Sequence, residues 1–243
     1  MQQQPKHPQR QYSIGTSITL YDRSATEHEI AIEISSHFRI GYRRKSQVVL
    51  AKLERGTLGT NEQTLNEQAN VVAKFYDSRY SPHDIYVDGH ETCMWSKDNE
   101  IHAYEKLQKL QGELIPLFYG EYTYTSNELV IPVLIFSYIN YPTLVEYFPF
   151  NFTAVELNHI IISAKDAVQK LHERGVYHRD IELHNIMYNR ETTELMVIDF
   201  GESVCADYPG EIPESRFKDV LVESKGDDDA MLSDAIRTLA GSG

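Results

Sequence analysis

With 243 residues, 41% of them hydrophobic and 24% charged, the chain can bury a sizeable core as one two-lobed domain or two small ones. A formal net charge of −13 opposes broad, charge-driven binding to nucleic acid or an anionic membrane, and neither is expected as a partner; Arg43-Arg44-Lys45 is a single short basic candidate patch. Cys93 and Cys205 lie far apart in sequence, fit no zinc spacing and are expected as buried or half-buried free thiols, in keeping with a cytoplasmic or nuclear location.

Met1 to about Gln11 is rich in Gln, Pro and basic residues and lacks the apolar stretch of a secretory signal, so a disordered arm is expected. Strands are predicted at Ser17–Tyr21 and Glu29–Ile34, the second alternating polar and apolar residues as a half-exposed strand does. Two more, Val48–Ala51 and Val71–Phe75, flank a polar loop with two glycines from Gly56 to Gln68. Ile101, Tyr104, Leu107 and Leu110 recur at helical spacing and predict a helix over Asp98–Gln111, ended by Gly112 and Pro116.

Short strands should follow near Glu121–Tyr124 and Val130–Tyr138. The apolar run Leu129–Ile139 is interrupted by Pro132 and Ser137 and is too short to span a bilayer. Thr153-Ala154-Val155-Glu156 is a capping box for a helix reaching Arg174, with Gly175 as its terminator. Leu157, Ile160, Ile161, Ala164, Val168 and Leu171 form its apolar face. A last helix is predicted over Asp227–Leu239, and no internal repeat is visible.

Between these last two helices stands His178-Arg179-Asp180-Ile181-Glu182-Leu183-His184-Asn185, followed by Asp199-Phe200-Gly201. An aspartate, an asparagine five positions on, and a second aspartate before Phe-Gly offer one carboxylate to orient a hydroxyl and two hard oxygen ligands for magnesium. In order and spacing the two motifs resemble the catalytic and metal-binding loops of protein kinases. The chain is thus similar to a small, shortened, eukaryotic-type member of the protein-kinase-like superfamily.

That resemblance implies an α+β, two-lobed protein-kinase-like fold. Residues 1–35 would be a disordered arm with extra strands, 36–139 a mainly β N-lobe with one helix, and 140–243 an abbreviated helical C-lobe. It implies ATP and Mg²⁺ as cofactors, with adenine near Phe136 to Asn140. Asp180 takes the catalytic place, while Asn185 and Asp199 bind the metal. Val72-Ala73-Lys74 resembles the strand whose lysine holds the phosphates, since a lysine inside an apolar strand needs an anion or a route to water. Its carboxylate partner would be Glu100, in the first turn of the helix, with Glu105 as the alternative. His178 and Arg179 would hold the loop, and the aspartates from Asp227 onward would either support it from below or serve only as an acidic helix start.

Three features depart from the family pattern. The phosphate-covering turn, Gly41-Tyr42-Arg43-Arg44-Lys45-Ser46-Gln47-Val48, keeps one glycine of three, Gly41, so Arg43 either meets phosphate or sits in a plain charged hairpin. Glu182 stands where many protein kinases carry a lysine, and His184 is a candidate compensating donor. Little chain follows Gly201, and Ile212-Pro213-Glu214 is a weak echo of the motif that closes an activation segment. The expected function is ATP- and Mg-dependent phosphotransfer to a hydroxyl acceptor, protein Ser/Thr kinase-like. The alternatives are a small-molecule kinase of the aminoglycoside or choline type and a pseudokinase binding module.

Overall fold

A computed structural model describes residues 7–23, 29–59, 64–81, 89–149, 151–207 and 214–240, with 59, 64 and 214–222 described as backbone. The chain divides into two compact units, one of Met1–Lys97 with Leu117–Tyr138 and the other of Asp98–Pro116 with Ile139–Gly243.

The first unit is built on six antiparallel strands: β1 Ser17–Asp22, β2 Glu29–Arg39, β3 Gln47–Arg55, β4 Asn70–Phe75, β5 Phe118–Ser126 and β6 Leu129–Ser137. They pair in cyclic order β1-β2-β3-β4-β6-β5, and the ring closes through Tyr21 with Thr123 and Asp22 with Tyr122. Alternation makes the core, because every second side chain points to the same face. Ile30, Ile32 and Ile34 of β2, Val49, Ala51 and Leu53 of β3, and Val71, Ala73 and Phe75 of β4 are all fully buried in one cluster.

β2 runs five residues beyond the predicted Ile34. Register shifts between Ile34 and Ser36 and between His37 and Arg39 break the strict alternation, which is why Ser35 to Arg39 do not look like a strand in sequence. The polar loop from Gly56 contains a small antiparallel pair, Leu58–Gly59 with Thr64–Leu65. Gly56 has φ +93°, and a Cβ there would meet Ile30 Cγ2 at 2.9 Å, so both backbone and packing require glycine.

The arm expected to be disordered is instead built into this unit from residue 7. Pro8–Gln11 forms one helical turn, and Tyr12 is fully buried against Phe75, with ring centroids 4.7 Å apart. The Tyr12 hydroxyl donates to Asp77 Oδ2 at 2.7 Å, and Arg79 donates to both Asp77 oxygens at 2.8 and 2.6 Å. Burial, then the Asp77 charge, raises the Tyr12 pKa well above its ordinary value, so the phenol stays a donor. Composition favoured disorder; a single aromatic with a buried acceptor outweighs it.

Helix α1, Gly89–Lys106, begins well before the predicted Asp98 and gives way to a 3₁₀ turn at Gln108–Leu110. Its hidden face carries Ser96, Lys97, Asn99 and Glu100, so apolar spacing does not reveal the first half. Lys97 reaches Glu121 at 3.0 Å, which satisfies one of these buried charges. Glu100 consequently lies in the interior of the helix, not in its first turn.

In the second unit α2, Ala154–Glu173, starts where predicted. Thr153 Oγ1 accepts from the Glu156 N–H at 3.2 Å and Glu156 accepts from the Thr153 N–H at 2.7 Å. Two small antiparallel pairs follow, Val176–Tyr177 with Val204–Cys205 and Ile186–Tyr188 with Leu195–Val197. Helix α3, Glu214–Ala240, begins earlier than the predicted Asp227. Residues 212 and 213 of the Ile212-Pro213-Glu214 echo lie outside the described residues. Cys93 and Cys205 are buried and free, and burial pushes both thiols up to about 12, so they remain protonated. Among the described residues no helix is long and apolar enough to cross a membrane.

Candidate active site

The loop from His178 to Asn185 follows the Val176–Tyr177 strand and is organised by its backbone hydrogen bonds. The His178 imidazole is fully buried; its Nδ1 accepts the Asp180 N–H at 3.2 Å and its Nε2 lies 3.0 Å from the Ile198 carbonyl. An N–H donor at Nδ1 puts the ring proton on Nε2, which then donates to Ile198. The ring also packs on Phe200, centroids 4.7 Å apart. One histidine thereby ties Asp180 to the strand that ends before Asp199.

Beneath the loop is Asp228 of α3, 0% exposed. Its carboxylate accepts the backbone N–H of His178 at 2.8 Å and of Arg179 at 2.5 Å, and meets His172 Nε2 at 2.9 Å. Asp227, Asp228 and Asp229 lie in the interior of α3 and not at its start; Asp228 sits under the loop, while Asp227 and Asp229 are exposed. His172, at the end of α2, is a partner that no sequence motif announced. Arg179 has φ +62° and Asp199 φ +68°, left-handed values that cost energy for residues with a Cβ. The hydrogen bonds on either side hold these conformations in place.

Asp180 and Asn185 are brought together. Asn185, 2% exposed, donates through Nδ2 to Asp180 Oδ2 at 2.7 Å and to the Asp180 carbonyl at 2.9 Å. Both amide hydrogens are thus committed, and Oδ1 is the atom this side chain offers to a cation. The Asn185 carbonyl accepts from the Ile198 N–H at 2.9 Å, which couples it to the residue preceding Asp199. A neutral amide oxygen and a carboxylate are hard donors of the kind magnesium takes, so Asn185 and Asp199 fit that ion chemically.

The half of α1 in this unit braces the segment after Asp199. Asn99 Nδ2 donates to the Gly201 carbonyl at 3.5 Å, and Ser203 Oγ donates to the Asn99 carbonyl at 3.4 Å. Tyr104 stacks edge-on against Phe200 at 5.5 Å. Its phenol pKa is well raised, first by complete burial and then by the charges of Glu100 and Asp199, which places both carboxylates near this ring. Glu100 itself is buried at 2% exposure, whereas Glu105 is exposed.

Lys74 and Gly41 belong to the β unit. Lys74 is 5% exposed, with Nζ 5.6 Å from the centre of the Tyr76 ring. Gly41 exchanges two bonds with the Gln47 side chain, at 2.8 and 2.9 Å, and a Cβ on it would meet nothing within 4 Å. Glycine is therefore not sterically required at 41. Arg43, aligned with an absent glycine, has φ +59° and adopts the left-handed backbone that a glycine takes without strain. Bonds from the Arg44 N–H to Tyr80 O at 3.0 Å and from Cys93 Sγ to Lys45 O at 3.1 Å anchor the turn on either side.

Glu182 does not stand alone. Its Oε2 lies 3.2 Å from His184 Nδ1, and His184 Nε2 lies 3.9 Å from Asp180 Oδ2. The three side chains offer ligand atoms within 4.8 Å of one another.

Mixed helix and strand content and this pair of loops define a kinase-like fold. A family model described as "Protein kinase domain" matches residues 56–219, and the chain belongs to the protein kinase domain family. It is 41% identical over 68 residues to probable serine/threonine-protein kinase fnkB of Dictyostelium discoideum, a match spanning 27% of this chain and 13% of that protein. It is 32% identical over 108 residues to serine/threonine-protein kinase ppk8 of Schizosaccharomyces pombe, 39% of this chain and 21% of that protein. The chain therefore matches only a small part of either relative's length. A solved structure, the Cydia pomonella granulovirus kinase PK-1, aligns with a TM-score of 0.48 and 19% identity, covering 75% of this chain and 55% of that one.

Proposed function

We propose that this chain is an ATP- and Mg²⁺-dependent phosphotransferase acting on a hydroxyl acceptor, with a protein serine or threonine as the acceptor class. The β unit and the helical unit are read as the two lobes of a kinase domain. The observation that carries the reading is the Asp180–Asn185 pair, a carboxylate held at 2.7 Å by an amide whose Nδ2 hydrogens both go to Asp180 and whose oxygen is the atom left to meet a cation. In this reading Lys74 neutralises the nucleotide phosphates and Glu100 keeps the lysine oriented. Asn185 Oδ1 and the Asp199 carboxylate hold magnesium, which supplies charge neutralisation on the phosphates when bound. Asp180 orients the acceptor hydroxyl for in-line attack, and Gly41 to Gln47 supplies backbone near the phosphates.

A second reading, a nucleotide-binding module without transfer, draws on Arg43 in place of glycine and on Glu182. Aminoglycoside- or choline-type small molecules are the alternative acceptors. Thermal unfolding with and without Mg-ATP tests nucleotide binding directly. A ligand at about 100 times its Kd stabilises the native state by about 2.7 kcal/mol. Lys74→Met should fold as the parent does and lose most of that increment; an undiminished shift sinks the phosphate role of Lys74. Asp199→Asn should remove most of the magnesium dependence of the shift, because it deletes the only full negative charge of the proposed metal pair. An unchanged magnesium titration would move the metal site elsewhere.

A further inference from the structure

We propose that residues 7–12 brace the phosphate-covering turn at 41–46, with His7 and Tyr12 as positioning residues for the nucleotide site. The inference rests on the nucleotide-binding part of the reading above and deepens it. Every group involved belongs to the β unit.

The turn keeps Gly41 alone of the three family glycines, and Arg43 holds φ +59°, a backbone that costs energy for a residue with a Cβ. Tyr42 beside it is 51% exposed, and two rings from outside the turn meet it. His7 approaches edge-on, with centroids 5.3 Å apart and planes at 85°, and Tyr80 does so at 5.7 Å and 72°. Edge-to-face contact at these distances is a favoured aromatic geometry. Tyr80, 1% exposed, is a fixed wall, so the arm supplies the second side of the seat in which the Tyr42 ring lies.

A second route runs through hydrogen bonds. The Tyr12 hydroxyl donates to Asp77 Oδ2 at 2.7 Å, the Asp77 carbonyl accepts the Tyr80 N–H at 3.0 Å, and the Tyr80 carbonyl accepts the Arg44 N–H at 3.0 Å. Asp77 is fully buried and Arg79 bonds both of its oxygens, so the carboxylate is held where Tyr12 meets it. The Tyr12 carbonyl lies 2.6 Å from Nε2 of His37, on the strand that leads into Gly41. The arm thus reaches the turn directly at Tyr42 and through the Asp77–Tyr80 segment at Arg44. Its own anchorage is firm, since Tyr12 is fully buried and Gln11 Nε2 donates to Ser126 Oγ at 2.9 Å. A turn already held in place loses less freedom when phosphate binds, so the brace raises affinity for Mg-ATP.

The test uses His7, which is exposed, because truncating Tyr12 would open the core. His7→Ala in the full chain is expected to raise the Kd for Mg-ATP by about three- to tenfold, the range of one aromatic edge contact. Without nucleotide, the Arg44 amide should exchange with deuterium faster by a similar factor, while the amides of residues 49–53 stay unchanged. His7→Phe keeps a ring but loses the Nδ1 that accepts from the Gln9 N–H, and it should restore both values. Tyr42→Ala loses both ring contacts and should raise the Kd further, with His7→Ala adding nothing on that background. An unchanged Kd or unchanged Arg44 exchange in His7→Ala, no rescue by His7→Phe, or additive losses in the double variant would each overturn the brace while leaving the nucleotide reading intact. A parent whose Mg-ATP titration shows no binding overturns both.

Discussion

Replacing Asp180 by alanine is expected to abolish phosphate transfer while leaving Mg-ATP binding almost untouched. Phosphoryl transfer gains mainly from positioning and charge stabilisation, so the group that orients the acceptor matters in the transition state and little to the bound nucleotide. Contributions of this kind are typically about 10² to 10⁴ in rate. The Asn185 amide loses one of its two Asp180 acceptors, the carboxylate, but keeps the carbonyl at 2.9 Å, so the loop retains its course. The measurement pairs initial rates with the Mg-ATP thermal shift. A variant that transfers as fast as the parent removes Asp180 from the chemistry; one that also loses the thermal shift makes Asp180 part of the nucleotide site.

Asp228→Ala should produce the largest loss of stability. It leaves a buried backbone donor, His178 N, and a part-buried one, Arg179 N, without the acceptor they now share, and it strips His172 of its partner. A buried donor left unsatisfied costs about 1–3 kcal/mol and a part-buried one less, so a loss of roughly 2–4 kcal/mol is expected against a domain stability of about 5–15. Asp228→Asn keeps one acceptor oxygen and should fall between parent and alanine variant. Urea midpoints at constant m-value read the effect. A loss under about 1 kcal/mol would mean that water replaces the carboxylate and that α3 does not carry the loop.

The two loops were legible in the sequence because their residues are local: Asp180 and Asn185 are five positions apart, and their mutual hydrogen bond needs only one turn of chain. Capping chemistry made the start of α2 equally legible, since Thr153 and Glu156 satisfy each other's backbone donors without any distant partner. Strand positions followed from alternation wherever alternation persisted, and were cut short at Ile34, where bulges change its phase. Family membership could be read at this level as well, because motif order and spacing are properties of the chain itself.

Other features depended on residues far apart in sequence. Composition alone made residues 1 to about 11 an arm, but Pro8–Gln11 forms a helical turn, anchored by the next residue, Tyr12, which finds a buried carboxylate 65 residues away at Asp77. Apolar spacing began α1 at Asp98, yet its earlier turns bury Ser96 and Lys97, whose cost is met by partners such as Glu121 that a local pattern does not contain. The run Asp227-Asp228-Asp229 looked like three equivalent helix-start charges. Packing of α3 separates them, with Asp228 beneath His178 and Arg179 and its neighbours in solvent.

By itself, then, the sequence determined the elements with strict periodicity, the capped helix and the two loops that define the family, all governed by interactions within a few residues. Tertiary structure alone decided which carboxylate supports the loop, where Tyr12 lies and how far α1 extends. Those outcomes hang on buried polar groups, and a buried donor, acceptor or charge is tolerable only where a specific partner from elsewhere in the chain is brought within hydrogen-bonding distance.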